Sequence, residues 1–193
     1  KSNNTADGGG RTLEVRNLHS RNDLGQNWTF SAVEGGTPGA PNSVRQVNVA
    51  PFIEDVSHHP AVPGPRDLVL VRARLSDDLS SPIRGVVHHR VSSLAPTPFA
   101  STVMRDDGTG GDEVAHDNIY TAVLPAQPEG ATVEFYLEAF DRIQSRTWPT
   151  AAHENGLQEA NLLYQVDSEQ PAGEAQFYRF ILSAGELEEF LKI

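Results

Sequence analysis

The chain contains no cysteine among its 193 residues. This absence excludes disulfide bonds, zinc–thiolate sites and thiol nucleophiles, but it does not indicate the cytosol, because many exported bacterial proteins also lack cysteine. The sequence also lacks an apolar run of the roughly 18 residues that a membrane-spanning helix requires. Its first ten residues, KSNNTADGGG, contain no hydrophobic signal core. We therefore expect no membrane span, and a signal peptide upstream of this segment if the parent protein is exported.

Basic residues are scarce. The chain has 15 Lys and Arg against 26 Asp and Glu, which gives a formal net charge of −11. The basic residues are scattered along the chain and form no stripe that would neutralise phosphates, so we expect no nucleic-acid partner. An excess of acidic residues is also typical of a surface whose charge only keeps the protein soluble.

Turn-forming residues are abundant, with 16 glycines and 13 prolines in a chain that is 38% hydrophobic. This composition favours a globular protein of short strands joined by many turns. Residues 67–75 alternate apolar and polar side chains, as a half-buried strand does. Similar signals predict further strands at residues 52–56, 85–91, 99–104, 118–124 and 131–140. We expect an all-β fold, an antiparallel immunoglobulin-like β-sandwich with flanking partial modules and a short C-terminal helix.

The N-terminal residues carry a recognisable pattern, GRTLEV followed by NW and then GGTPGAPNS. Over roughly residues 8–43 this resembles the last part of a bacterial lamin-tail domain, an immunoglobulin-like sandwich of secreted and surface proteins. Such sandwiches run to about 100 residues, so the resemblance implies that residues 1–44 are a C-terminal remnant. Two strands alone are marginal in water. We expect Trp28 and Phe30, which share one face, to have lost their original core partners. They should pack against another part of the chain or against a partner, or else be unordered.

Residues 45–152 resemble the immunoglobulin-like or fibronectin-like domains of bacterial surface proteins. The resemblance rests on PFIEDVSHHPAVPGPRDLVLVRARLSDD, VMRDDGTGGDEVAHDNIYTAVLP and ATVEFYLEAFDRIQSRTWP. It implies one complete β-sandwich, and it predicts the fold better than the function.

Residues 153–193 differ in character and are expected to form a linker and the first elements of a following domain. Strands are predicted at 162–166 and 177–182, and Ser183-Ala-Gly-Glu186 is a capping box that opens a short helix. That helix presents Leu187, Phe190 and Leu191 on one side. The string AQFYRFILSAGELEEFL resembles the entry to a CotH-type kinase domain, but none of that family's catalytic motifs is present.

The strongest candidate site is an acidic turn that begins at Asp106 and Asp107 and continues through Asp112 to Asp117. Calcium takes six to eight hard oxygen ligands, and glycines between carboxylates let a loop fold around the ion. The spacing does not match an EF-hand. In the alternative interpretation, these side chains accept hydrogen bonds from their own turn backbone. The four aspartates are thus candidate calcium ligands, with calcium as the one candidate cofactor.

Two histidine pairs, His58-His59 and His88-His89, are weaker candidates for zinc. Adjacent residues of a strand point to opposite faces, so each pair offers one ligand to a given site. Half-buried or surface histidines are the commoner outcome, and we predict no metal there.

Catalytic patterns are missing from the sequence: it has no Gly-x-Ser-x-Gly elbow, phosphate loop or dinucleotide-binding fingerprint. Glu134 and Glu138 lie on one face of a predicted strand, and we interpret them as the solvated face of a sheet. Large aromatic residues of a small sandwich usually fill its core and ends rather than bind sugars. The aromatic residues considered for a sugar platform are Tyr120, Tyr136, Phe140 and Trp148.

Together these features predict a non-catalytic structural or linker region of a larger exported bacterial protein, extracellular or at the cell surface. Its partners would be neighbouring domains of the same polypeptide, with a protein or glycan ligand as a further candidate. Two alternatives stay open. One is an adhesion or carbohydrate-binding module, and the other is the accessory part of a CotH-type kinase whose catalytic residues lie outside this chain.

Overall fold

The computed structural model describes residues 6–78, 82–150, 158, 162–169 and 178–192. The described part is dominated by antiparallel strands and ends in one short helix, which confirms the all-β fold predicted from the sequence. The strands are β1 Leu13–Val15, β2 Trp28–Phe30, β3 Phe52–His59, β4 Val69–Ser76, β5 Arg84–Val91, β6 Ala100–Val103, β7 Ile119–Leu124, β8 Thr132–Phe140, β9 Ser145–Trp148 and β10 Leu162–Gln165. A 3₁₀ turn covers Gly25–Asn27, and helix α1 covers Ala184–Phe190.

Two sheets form the sandwich. One sheet has the order β3-β4-β7, and the other has the order β10-β8-β5-β6, with β9 also paired to β8. The alternation predicted for β4 is present, since Val69, Val71, Ala73 and Leu75 are all buried while the residues between them are half-buried. These apolar side chains meet those of β5, β7 and β8 in one continuous core. The core therefore forms because the period-two pattern of each strand turns its apolar face toward the other sheet.

The pairing of strand β10 differs from the expectation that residues 153–193 form a linker and the first elements of a following domain. It pairs with residues Thr132 to Phe135 at one end of β8, and β9 occupies the other end of the same edge. Tyr164 and Val166 are buried in the sandwich core. The nine-residue length of β8 allows this arrangement, because one long strand can pair with two short ones in succession. The sandwich thus extends past residue 152.

Helix α1 begins with the predicted capping box. The Ser183 side chain accepts a hydrogen bond from the Glu186 backbone N–H, and the Glu186 carboxylate accepts one from the Ser183 N–H. Leu187, Phe190 and Leu191 are exposed. The predicted strand at 177–182 is wrong over 178–182, which have no regular structure, and residue 177 lies outside the described residues. Among the described helices, none is long and apolar enough to cross a bilayer.

The N-terminal segment is held together by polar groups rather than by aromatic packing. Strands β1 and β2 form a two-stranded sheet, but Trp28 is only half-buried and Phe30 is 44% exposed. Within the described chain these two rings therefore do not fill a core, and their packing against a partner stays a prediction. The buried residues of its two strands and the loop between them are Glu14, Val15, Asn17 and Asn27, and Ser31 directly after β2 is buried as well.

Asn27 explains how such a small segment closes. Its side chain accepts a hydrogen bond from the Asn17 N–H and donates to the carbonyls of Asn17 and Arg21 and to the side chain of Asn22. A buried amide with this many partners stabilises the loop without requiring a large apolar core.

The segment contacts the start of β3 directly. Gln26 donates to the carbonyl of Ile53 at 2.7 Å and accepts from its N–H at 3.0 Å. From β9, Arg146 donates to the carbonyls of Pro51 and Ala50. These hydrogen bonds from the Gln26 and Arg146 side chains to the backbone fix residues 50–53 between the N-terminal segment and the sandwich.

Candidate metal centre

The acidic turn lies where the chain passes from one sheet to the other. After β6 the Met104 N–H donates to the Gly85 carbonyl of β5 at 2.9 Å. The next residue, Arg105, exchanges two backbone hydrogen bonds of 2.8 Å with Thr121 of β7. The turn between β6 and β7 therefore begins as the chain leaves the five-stranded sheet and ends within the three-stranded sheet.

Glycine permits the tight path of this turn. Gly108 and Gly111 have φ values of 73° and 94°, which residues with a side chain rarely adopt. A Cβ at Gly111 would also come within 2.8 Å of the Val123 side chain. The turn can therefore fold back against the outer side of β7.

Three of the four predicted ligands converge. Asp106, Asp112 and Asp117 each place one carboxylate oxygen within 4.8 Å of the other two. Asp112 is buried and the other two are half-buried. Each carboxylate also accepts one backbone hydrogen bond: Asp112 from Gly108 at 2.7 Å, Asp106 from Asp117 at 3.1 Å, and Asp117 from Ile119 at 2.8 Å. The hydrogen bonds that close the loop therefore involve the same three carboxylates that converge.

Asp107 is turned away from these three. Its carboxylate accepts hydrogen bonds from the Thr109 N–H and hydroxyl and forms an ion pair of 3.1 Å with Arg105. The hydroxyl of Thr109 is the main cause that holds the pKa of the Asp107 carboxyl below its usual range. Asp107 therefore caps its own turn.

The acidic turn has features of both interpretations, since its aspartates accept hydrogen bonds from the turn backbone and three of them also converge as cation ligands would. A carboxylate has about four lone-pair positions, so an oxygen pair that accepts one N–H still has room for a cation. Three carboxylates at this separation repel one another, and a hard divalent cation offsets that repulsion. We name Asp106, Asp112 and Asp117 the acidic-turn cluster.

The histidines are engaged by other partners. His58 Nδ1 lies 3.0 Å from the Pro60 carbonyl oxygen, and its ring contacts Tyr164. His88 stacks on Tyr136 with 4.6 Å between ring centroids, and its Nε2 lies 3.1 Å from the Glu138 carboxylate. Burial lowers the pKa of His89. Within the described residues no histidine belongs to a group of three metal-ligating side chains.

Glu134 departs from the expected solvated face, since only 6% of it is exposed. Arg90 on the neighbouring strand binds its carboxylate at 2.8 Å and also lies over the Phe99 ring, 4.2 Å from its centroid. Glu138 is half-buried against His88. The ion pair and the ring thus cover one end of the outer face of the β5–β8 pair.

Of the aromatic residues considered for sugar binding, Tyr120 packs against the core, and the other three lie outside it. Tyr120, Tyr136 and Phe140 are half-buried, and Trp148 is exposed. The aromatic side chains that are fully buried are Phe52, Phe135 and Tyr164. Along β8 the alternation distinguishes Phe135, on the apolar face, from Tyr136 and Phe140, on the face of Glu134 and Glu138.

A second group of polar residues was not predicted. Asp78, which follows β4, accepts hydrogen bonds from the Asn17 side chain at 2.6 Å and from the Val49 N–H at 3.1 Å. The Asn48 side chain donates to Asp141, which follows β8, at 2.8 Å. The sequence signal for this group was the aspartate pair at 77 and 78, but the partners of Asp78 lie 29 and 61 residues away in the sequence, and Asn48 lies 93 residues from Asp141.

The fold and these sites define an antiparallel β-sandwich protein with an acidic turn between its two sheets. No protein-family model matches the chain, and no curated protein matches it. The resemblances to lamin-tail, immunoglobulin-like and CotH-type proteins therefore stay predictions from the sequence.

Proposed function

We propose that this chain is a non-catalytic structural region of a larger exported bacterial protein, and that calcium bound at the acidic-turn cluster stiffens its sandwich. The observation that carries the proposal is the convergence of Asp106, Asp112 and Asp117 within 4.8 Å of one another. Calcium at this place would hold together a turn whose two ends belong to different sheets, so its effect would reach both halves of the sandwich.

The export part of the proposal is supported by the sequence. The lamin-tail-like segment GGTPGAPNS and the immunoglobulin-like pattern that follows it are typical of secreted and surface proteins. Extracellular calcium modules bind the ion with dissociation constants of about 10⁻⁴ to 10⁻³ M. The reading frame that encodes the residues before Lys1 tests this part, because export requires a secretion signal there.

Thermal melting of the purified chain tests the calcium part. A ligand at one hundred times its dissociation constant adds about 2.7 kcal/mol to the free energy of unfolding. For a chain of this size that corresponds to a rise in melting temperature of roughly 5–11 °C. We expect this rise in about 10 mM calcium relative to excess chelator, and a smaller rise for Asp112→Asn.

Asp107→Asn is the matched control, because it removes the same charge from the same turn without touching the acidic-turn cluster. It should respond to calcium as the unchanged chain does. Equal calcium responses of Asp112→Asn and Asp107→Asn would show that the cluster is a hydrogen-bonded turn and not a calcium site.

A further inference from the structure

A serine, a histidine and a glutamate are joined by hydrogen bonds on the outer face of the five-stranded sheet. Ser101 of β6 lies 3.0 Å from His88 of β5, measured from the hydroxyl oxygen to Nδ1. The other ring nitrogen of His88, Nε2, lies 3.1 Å from a carboxylate oxygen of Glu138 on β8. We name Ser101, His88 and Glu138 the Ser101 triad. Its members come from three adjacent strands, so the assembled sheet brings them together.

Glu138 determines which ring nitrogen of His88 carries the proton. An ionised carboxylate only accepts hydrogen bonds, so the neutral imidazole must donate from Nε2. Nδ1 then has a free lone pair, and the Ser101 hydroxyl is placed to donate to it. His88 is therefore held as an acceptor for the Ser101 proton, which is the relation between a nucleophile and its general base.

Aromatic contacts hold the His88 ring in this orientation. The ring stacks on Tyr136 with an interplanar angle of 17°, and Tyr136 in turn makes an edge-to-face contact with Phe99, with 5.0 Å between centroids. The side chain of His88 is 17% exposed and that of Glu138 is 30% exposed, whereas Ser101 is open to solvent. The base and the carboxylate are thus partly shielded, while the hydroxyl can meet a reagent from solution.

The backbone of β6 supplies a hydrogen-bond donor beside the hydroxyl. In the described part of the chain β6 forms one edge of the five-stranded sheet, and it pairs there with β5. The Met104 N–H just after β6 donates to Gly85, which lies opposite, and such hydrogen-bonded pairs alternate along an antiparallel ladder. Ser101 lies opposite His88, at a position where the backbone N–H points away from β5. This N–H can donate to the oxygen anion that forms when the Ser101 hydroxyl attacks a carbonyl carbon.

We infer that Ser101 is an activated nucleophile that accepts an acyl group from a carboxylic ester or thioester. The Ser101 oxygen bonds to the carbonyl carbon, and its proton passes to His88 Nδ1. The bond from that carbon to the leaving group breaks, and the alkoxide or thiolate departs with the electron pair of that bond and takes the proton from His88. Val103, on the same side of β6, is 49% exposed and would contact an apolar acyl chain.

This inference goes beyond the structural role proposed above. It requires one acyl transfer per chain rather than turnover, and it does not depend on calcium at the acidic-turn cluster.

The probe for the experiment is p-nitrophenyl acetate, because its leaving group is coloured and its acetyl group stays on the nucleophile. We expect the full chain to release one equivalent of p-nitrophenolate in a burst and to carry the acetyl group on Ser101, as measured by peptide mass spectrometry. Ser145 of β9 is exposed and lies outside the triad, so its acetylation gives the background rate in the same sample. A general base accelerates a reaction by about 10²- to 10⁴-fold. Ser101 should therefore be acetylated at least about 100-fold faster than Ser145.

Substitutions separate the nucleophile from its base. Ser101→Ala should abolish the burst, and His88→Gln should lower the acetylation rate of Ser101 to that of Ser145. Ser145→Ala is the matched control, because it removes an exposed hydroxyl from the same sheet without touching the triad, and it should leave the burst unchanged.

Two outcomes of the labelling are decisive. Equal acetylation of Ser101 and Ser145 in the unchanged chain would show that the triad is only a ladder of surface hydrogen bonds, and the inference would be wrong. Release beyond one equivalent that Ser101→Ala abolishes would support the nucleophile, and it would contradict the non-catalytic part of the proposed function instead.

Nitrogen-15 NMR of the His88 ring tests the arrangement without a reagent. The unchanged chain should show the Nε2–H tautomer. Glu138 acts as a positioning residue, so Glu138→Gln should reduce both the population of this tautomer and the acetylation rate, because an amide does not require a donor at Nε2. The Nδ1–H tautomer in the unchanged chain would leave no acceptor for the Ser101 proton and would overturn the inference.

Discussion

Replacement of Tyr164 by alanine tests whether strand β10 belongs to the sandwich in solution. Tyr164 is 1% exposed and is among the largest fully buried side chains of the described chain. Its ring lies 6.0 Å from that of Phe135 and 5.4 Å from that of His58, measured between centroids. The side chain thus joins β10 to β8 and to β3, which belong to different sheets.

The expected cost follows from this burial. Truncating a buried aromatic residue to alanine costs about 3–5 kcal/mol, because apolar contacts are lost and a cavity remains. Domains of this kind unfold with about 5–15 kcal/mol, so the change removes a large fraction of the total. The melting temperature should fall by roughly 6–20 °C.

Urea denaturation followed by far-ultraviolet circular dichroism measures the change directly. Phe180→Ala is the control, because Phe180 is an aromatic residue of the same C-terminal region that is 92% exposed. Its replacement should change the free energy of unfolding by less than about 0.5 kcal/mol. If the two variants were equally stable, Tyr164 would not be part of the core and the sandwich would end before residue 153, as the sequence suggested.

Three further outcomes are expected. Asn27→Ala should expose residues 12–31 to faster hydrogen exchange, because it leaves the buried Asn17 N–H without its acceptor, at a cost of about 1–3 kcal/mol. Gly85→Ala should lower the unfolding free energy by about 1–3 kcal/mol in urea denaturation, because a Cβ there meets the Leu75 side chain at 2.7 Å. Burial lowers the pKa of His89, so the unfolded state binds a proton more readily than the folded state does. The unfolding free energy of the unchanged chain relative to that of His89→Gln should therefore be highest above about pH 6.5 and should decline as the pH falls further.

The strands of the sandwich could be predicted closely because their signal is local. The period-two alternation of β4 and β8 and the turn residues between strands appear in the sequence itself, and the Ser183–Glu186 capping box is equally local. The position of β10 in the sheet could not be predicted, since the sequence of a four-residue strand does not show which strand it pairs with. Its assignment depends on the free edge of β8, which is a property of the assembled sheet.

The same difference between local signals and long-range contacts applies to the candidate sites. The acidic turn spans only 12 residues from Asp106 to Asp117, so its convergence follows from one loop and was foreseen for three of four aspartates. The sequence did not show that Asp107 differs from the other three aspartates. The backbone geometry of the loop decides which carboxylate turns toward Thr109 and Arg105. The contact between Asn48 and Asp141 was not predicted, since Asn48, before β3, and Asp141, after β8, meet only in the assembled fold.

The acidic turn is joined to the end of β4, and this bears on the proposed linker role. The Leu75 N–H near the end of β4 donates to the Asn118 carbonyl at 3.0 Å, directly after Asp117 of the acidic turn. Three residues after Leu75 comes Asp78, which accepts hydrogen bonds from the Asn17 side chain and from the Val49 N–H. Calcium at the acidic turn would therefore restrain the end of β4 that the N-terminal segment contacts. Stiffness there would fix the direction in which the N-terminal segment projects, whereas the same ion at a free loop would only raise the melting temperature.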